Sequence, residues 1–287
     1  MTDARSNTGS QSSGHSTFAF VQTLAAELSQ GTVKLPSYPD AALRVQRALS
    51  DPNSSIGRIT EIVSSEPSLA ARLVGMANSA AYHNEQPLVD VHSAIARLGC
   101  NAVRSAAMAF AVGQLRGAAE LRPVKGALQR IWEQSLEVAA VCAVLAKRTR
   151  VGADEAFLAG LLHAVGHMYL LARAAHRTDF LGQPSDFEEI VEGWQAAIGK
   201  AILQNWQLPE PVSEAVGDQD DVERKHYGEP DLTDVVATSK LLFTLNFAQL
   251  QSKCPQILRR MKLSADDASA VLQSARERVA SLRASLG

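Results

Sequence analysis

Aromatic side chains make up 5% of these 287 residues, whereas alanine and leucine are abundant. Glycine and proline fall mostly between apolar runs, and no alternation of the period a strand needs extends over a useful length. A sheet-built core is thereby excluded, and the composition favours helices. Cysteine is scarce as well. Cys100, Cys142 and Cys254 are odd in number and far apart, which rules out a zinc-ligand spacing and a closed disulfide framework. Reduced thiols of this kind suit the cytoplasm. There is no excess of one charge: the formal net charge is −2, so neither nucleic acid nor an anionic membrane is a default partner, and no basic patch is displayed along the chain. A basic-then-apolar leader is absent from the first residues. The longest apolar stretch, Ala156 to Ala172, contains His163, His167 and two glycines and falls short of the roughly 20 residues that span a bilayer. It is expected to be one buried helix.

What is present has the helical period almost throughout. A polar tail over residues 1–16, rich in Ser, Thr, Asn and Gly, is expected to be disordered. Beyond it Phe18, Val21, Leu24, Ala25 and Leu28 share a face, and so do Ala42, Val45 and Leu49, then Ile56, Ile59, Ile62 and Val63. Ser65 is the expected cap of a helix beginning at Pro67, Asp90 of the next, and Gly99 its expected end. The stretch Gly117–Gly126, with Pro123 inside, is the candidate boundary between an N-terminal helical subdomain, residues 17–118, and a second one, residues 119–287. Later helices are expected over Phe187–Trp206, Glu210–Val216 and Leu232–Leu250. A capping-box pattern at Ser264–Asp267 then precedes an amphipathic seam of Val271, Leu272, Ala275, Val279, Leu282 and Leu286. The fold class read from these patterns is all-α.

Chemistry has one obvious place to sit. His163-Ala164-Val165-Gly166-His167 spaces two imidazoles four apart, as on one face of a helix that ligates zinc. A protease of that kind needs a glutamate after the first histidine to act as base on the metal-bound water, and here that residue is Ala164.

A closer likeness runs from Glu155 to Gly166, which resembles the helix carrying the paired His-Asp of HD-superfamily phosphohydrolases. In that superfamily an upstream histidine, the pair and a later aspartate hold a divalent ion that activates water towards phosphorus. The resemblance places Gln134 at the upstream histidine, Ala164 at the paired aspartate and Ser239 at the last aspartate, with only His163 retained. One imidazole without carboxylates does not hold a hard cation, which takes several oxygen ligands.

Leu35-Pro36-Ser37-Tyr38-Pro39, Leu49-Ser50-Asp51-Pro52, Glu66 through Leu73, Ala77 through Tyr82 and Ala94 through Gly99 follow one another in the order of the HDOD family, which this chain resembles from about Leu28 to Leu250. The likeness is thinnest over Gly217–Pro230, and Trp194 stands where a histidine is common. It implies an N-terminal helical bundle followed by an HD-like subdomain, in a bacterial pseudoenzyme of signal transduction. That pseudoenzyme would have no cofactor and no metal, and would act on other signalling proteins in motility, biofilm, stress or virulence control. The rivals are a residual metal-dependent phosphohydrolase and a cyclic-dinucleotide receptor. No arginine-rich phosphate motif favours the receptor.

Bland alternatives stand beside each candidate. His163 is read first as a buried imidazole bonded to a backbone carbonyl, with Ala159, Gly160 and Gly166 permitting close helix contact, and His167 as a surface or interface group. Asp218, Asp220, Asp221 and Glu223 lack the glycine turn and terminal glutamate of a calcium loop and are read as a solvated acidic loop. Asn78, Ser79 and Tyr82 are the first choice for a partner surface, although Asn and Ser also end helices. The C-terminal seam is expected to dock within the chain, a dimer remaining open.

Overall fold

A computed structural model describes residues 8–33, 40–79, 87–175, 177, 184–226 and 228–286. Among the described residues every regular element is helical, as the periodicity required. In chain order they are α1 (Thr8–Ser29), α2 (Asp40–Ser50), α3 (Ile56–Ser64), α4 (Pro67–Ala77), α5 (Val91–Gly117), a 3₁₀ segment (Ala119–Val124), α6 (Lys125–Ala146), α7 (Ala153–Leu162), α8 (Val165–Ala174), α9 (Pro184–Asn205), α10 (Glu210–Gly217), α11 (Leu232–Thr244), α12 (Phe247–Lys253), α13 (Pro255–Met261) and α14 (Ala265–Leu286).

Helices α2 to α5 pack on one another, and α5 passes their core to α6 and α7. Helix α6 is the central strut, in contact with α7, α11 and α14. The buried apolar cluster runs without interruption from Phe20 to Val279, through the 3₁₀ segment expected to separate two subdomains. Helix α1 crosses back to lie on α9, where Tyr169 and Arg173 of α8 both reach the Glu27 carboxylate. A second polar tie joins the halves: buried Gln46 donates to the Gln207 carbonyl at 2.8 Å and accepts from Arg104 Nε at 3.0 Å.

Several local expectations shift for identifiable reasons. Helix α1 begins at Thr8, inside the segment expected to be disordered, because propagating an anchored helix adds a hydrogen bond per residue. Its buried contacts are Phe20 and Leu24, while Ala25 is exposed. Ile56 is 42% exposed because it opens the first turn of α3. Ser65 does not cap α4; its hydroxyl donates to the Ile62 carbonyl at 2.6 Å and closes α3, and Glu66 precedes Pro67, whose missing N–H leaves one donor fewer to satisfy. Asp90 does cap, accepting from the Ser93 amide at 2.8 Å. Gly99 kinks α5 rather than ending it, with φ at 76°, which glycine adopts without a Cβ penalty. The long helix expected over Leu232–Leu250 breaks at Leu245–Asn246, where Asn246 and Gln249 form a capping box for α12. At α14 the Ser264–Asp267 box forms in both directions, and Val271, Ala275 and Val279 are buried against α6 and α4.

The most consequential shift falls on the apolar stretch. Helices α7 and α8 are separate, parted at His163–Ala164, where Ala164 has φ −101° and ψ 14°. The 22 residues Ala153–Ala174 are long and apolar enough by length and composition to cross a membrane, but they are mostly buried inside the protein.

Candidate functional site

The break lets α7 and α8 each pack closely. A Cβ on Gly160 would lie 2.7 Å from Cys142 Sγ and 2.8 Å from Ala139 Cα of α6. One on Gly166 would lie 1.9 Å from the Gln195 carbonyl oxygen of α9, an impossible approach. Small residues at these two points bring α6, α7, α8 and α9 to within touching distance of backbone, as the sequence suggested for Gly160 and Gly166.

His163 sits at the seam and is 5% exposed. Its Nδ1 lies 2.8 Å from the Gly160 carbonyl, which can only accept, so Nδ1 carries the proton. Burial pushes the imidazole down to about 4, opposed in part by that hydrogen bond, so the ring is neutral at pH 7. Around it the junction is poor in oxygen ligands. Ala164 offers a methyl group. Ser239 is buried and spends its hydroxyl on the Val235 carbonyl at 2.7 Å. Ser135 does likewise with Ile131 at 2.8 Å. Cys142, in contact with Ser239, is buried, its thiol pushed up to about 12 by burial, which keeps it from being a thiolate. Gln134 is exposed on α6 and is not brought to His163.

His167 lies beyond the break, so the two histidines do not share one continuous helical face. Burial, then the Lys240 charge, pushes it down to about 4 as well, and its ring sits 6.5 Å from that of Phe187 between centroids. The carboxylate near this pair, Asp220, is held in an ion pair by Lys240. A divalent ion placed at His163 would therefore find one imidazole and an already neutralised carboxylate. The residues present do not fit the metal that the HD likeness implies.

Sequence reasoning missed Gln219. It is buried, donates to the His163 carbonyl at 2.8 Å and to Val216 at 2.9 Å, and so supplies a partner for a carbonyl released by the helix break. Its own Oε1 and the hydroxyl of buried Thr238 have no protein partner. Nothing in the pattern marked Gln219, because it lies in a stretch that reads as an acidic loop. Asp220, Asp221 and Glu223 around it are indeed exposed.

A second cluster was also missed. His226, Asp231 and Asp234 place ligand atoms within 4.8 Å of one another, the one such group among the described residues. Asp234 is buried and receives Arg260 at 2.6 Å, Arg224 at 3.3 Å and His226 Nε2 at 2.6 Å. Arg224 also reaches Asp231 at 2.6 Å, and the two aspartates form the capping box of α11. Burial would raise the Asp231 carboxyl, yet the Arg224 hydrogen bond and the Asp234 amide hold it below its ordinary value. Two guanidiniums already neutralise two carboxylates here, so the cluster is an ionic knot fastening Arg224 and His226 to α11 and α13 rather than a cation site.

The candidate partner surface is only partly described. Asn78 ends α4 and is tied to Leu88, donating to its carbonyl and accepting from its amide, both at 2.8 Å. Its amide group is thus committed within the chain. Ser79 is half-buried, and Tyr82 lies outside the described residues, as does the Leu35–Pro39 motif. Trp194 is half-buried on α9 and packs against the core.

Comparison with known proteins agrees with this architecture. The family profile described as the HDOD domain matches residues 35–222. A provisionally assigned metal-dependent phosphohydrolase from Shewanella amazonensis SB2B superposes with a TM-score of 0.73 at 24% identity, covering 93% of this chain and 99% of its own. An HDOD domain protein of unknown function from Geobacter sulfurreducens gives 0.63 at 23%, covering 92% and 96%. A provisionally assigned signal transduction protein from Marinobacter aquaeolei VT8 gives 0.64 at 24%, covering 94% and 66%. At these identities the likenesses establish the fold. A curated relative, an uncharacterised protein of Treponema pallidum (strain Nichols), is 24% identical over 200 residues, 66% of this chain, which spans 38% of that protein's length.

Proposed function

The chain belongs to the HDOD domain family, and from that premise we propose that it is a non-catalytic signal-transduction regulator acting through protein–protein contact. The observation that carries this reading is the environment of His163: a neutral, buried imidazole whose Nδ1 is taken by Gly160, beside Ala164 and a self-satisfied Ser239. A phosphohydrolase of HD type needs an ion there to lower the pKa of a water and to bear charge developing on phosphorus. With carboxylates absent from the junction and Asp220 paired to Lys240, the side chains supply packing instead. What this scaffold offers a partner is a set of rigidly seated helices, and specific partner surfaces typically bury about 1,600 Å² in total. The reading places its partners among other signalling proteins and leaves its own chain free of turnover.

Two measurements test it together. Protein purified without chelator is expected to carry far less than one equivalent of Mn, Fe or Zn by elemental analysis, and to hydrolyse bis(p-nitrophenyl) phosphate at the background rate with each ion added. One equivalent of metal that disappears in His163→Ala, together with hydrolysis lost in the same variant, would overturn it in favour of a residual phosphohydrolase.

A further inference from the structure

Along the chain no basic patch is visible, but the α2–α3 hairpin gathers one. Arg44 and Arg47 on α2 and Arg58 on α3 line a cleft of about 380 Å³ between the two helices. Their placement follows from helical period: Val45 and Ala41 turn into the core, which leaves Arg44 and Arg47 on the outer edge, where Arg44 reaches Ser65 at the C-terminal end of α3. Ile62 and Ala48 form an apolar wall, and the Ser54 hydroxyl lines the cleft, buried and without a protein partner.

From this arrangement we infer that the cleft binds a phosphate ester of small size, the phosphoryl group between the three guanidiniums and its organic body against Ile62 and Ala48. Arginine forks match a tetrahedral oxyanion, and three arginines lining one cleft suit an anion with three free oxygens better than a planar carboxylate with two. Arg47 has no ion-pair or hydrogen-bond partner among the described residues and is exposed. The other two have weak partners: Arg44 pairs with Asp40 at 3.0 Å, 46% and 77% exposed, and donates to the Ser65 hydroxyl at 3.3 Å, while Arg58 pairs with Glu61 at 3.1 Å, 64% and 71% exposed. Exposed pairs of this kind are weak and exchange readily for a better anion. The remaining carboxylate in the cleft, Asp51, is turned to its own loop, where it accepts from the Asn53 amide at 2.9 Å. Ser54 supplies a hydroxyl for a bridging oxygen. The site is remote in the chain from His163 and stands whether or not the scaffold reading does.

Isothermal titration of the full chain in chloride buffer, with phenyl phosphate, inorganic phosphate and benzoate as probes, tests it. Phenyl phosphate is expected to saturate a single site below millimolar concentration, with inorganic phosphate weaker and benzoate weaker still. Arg47→Gln and Arg58→Gln should each weaken phenyl phosphate about tenfold with the thermal midpoint retained, while Arg130→Gln, an exposed control on α6, should leave it unchanged. Absence of saturation in the native chain, equal binding by either cleft variant, or benzoate binding as well as phenyl phosphate would each overturn the assignment. Inorganic phosphate equalling phenyl phosphate would overturn the apolar half of it.

Discussion

The seam around His163 and the knot around Asp234 both carry residue types that bind metals, and each lacks what the other has. At the seam there are imidazoles without free acid: His163 and His167 are neutral, and the carboxylate near them, Asp220, is taken by Lys240. At the knot there is acid without vacancy, since Arg224, Arg260 and His226 already surround the two aspartates. The difference shows that a metal site is decided by the balance of uncommitted lone pairs against cations in contact, and that neither residue type nor proximity suffices. It also separates two ways of holding a helical core, one by close backbone approach and the other by charge.

The largest expected effect breaks the knot. Asp234→Ala leaves Arg260 half-buried without its carboxylate, takes one of two from Arg224 and breaks the α11 capping box, which should cost about 4 kcal/mol in chemical denaturation. A loss under about 1 kcal/mol would show that the knot is solvated decoration. At the seam, Gly166→Ala drives a Cβ into the Gln195 carbonyl and should cost about 3 kcal/mol, whereas Gly193→Ala on the open side of α9 should be neutral or slightly stabilising. Equal midpoints for the two variants would refute the close-packing account.

Acid separates the regions further. The His163 and His167 imidazoles titrate near 4 in the folded chain and near 6.5 when unfolded, so between these values the unfolded chain binds more protons. Stability is therefore full above about pH 6.5 and falls as the pH drops towards 4, by roughly 3 kcal/mol for fully buried His163. Urea midpoints of native protein and His163→Gln across that window should converge at low pH; parallel curves would contradict the assignment. The smallest effect is Ser239→Ala. It removes a hydroxyl that only closes on its own helix and on Cys142, and should cost about 1 kcal/mol or less without changing metal content.

Much of this molecule is legible without coordinates because helices announce themselves locally. Val45, Ile59, Ile62, Val63, Leu69 and Leu73 are buried where the period puts them, and Asp90 and the Ser264–Asp267 pair cap the helices they precede. The break at His163–Ala164 was not legible, since every residue from Ala156 to Ala172 suits a helix; what parts α7 from α8 is that α9 must reach Gly166 while α6 reaches Gly160. That Gln134 is exposed on α6 was not legible either, since it follows from which face of that helix meets α7 and α11.

The helical class, most of the inward faces and the family likeness came from the sequence alone, because they depend on contacts between residues a few positions apart or on side-chain chemistry. Only the tertiary structure decided that Gln219 would serve a broken helix, that Asp234 would be enclosed by arginines, and that Arg44, Arg47 and Arg58 would face one cleft. Charge and hydrogen-bonding capacity act over a few ångströms in space, and for those groups the neighbours in space are remote in the chain.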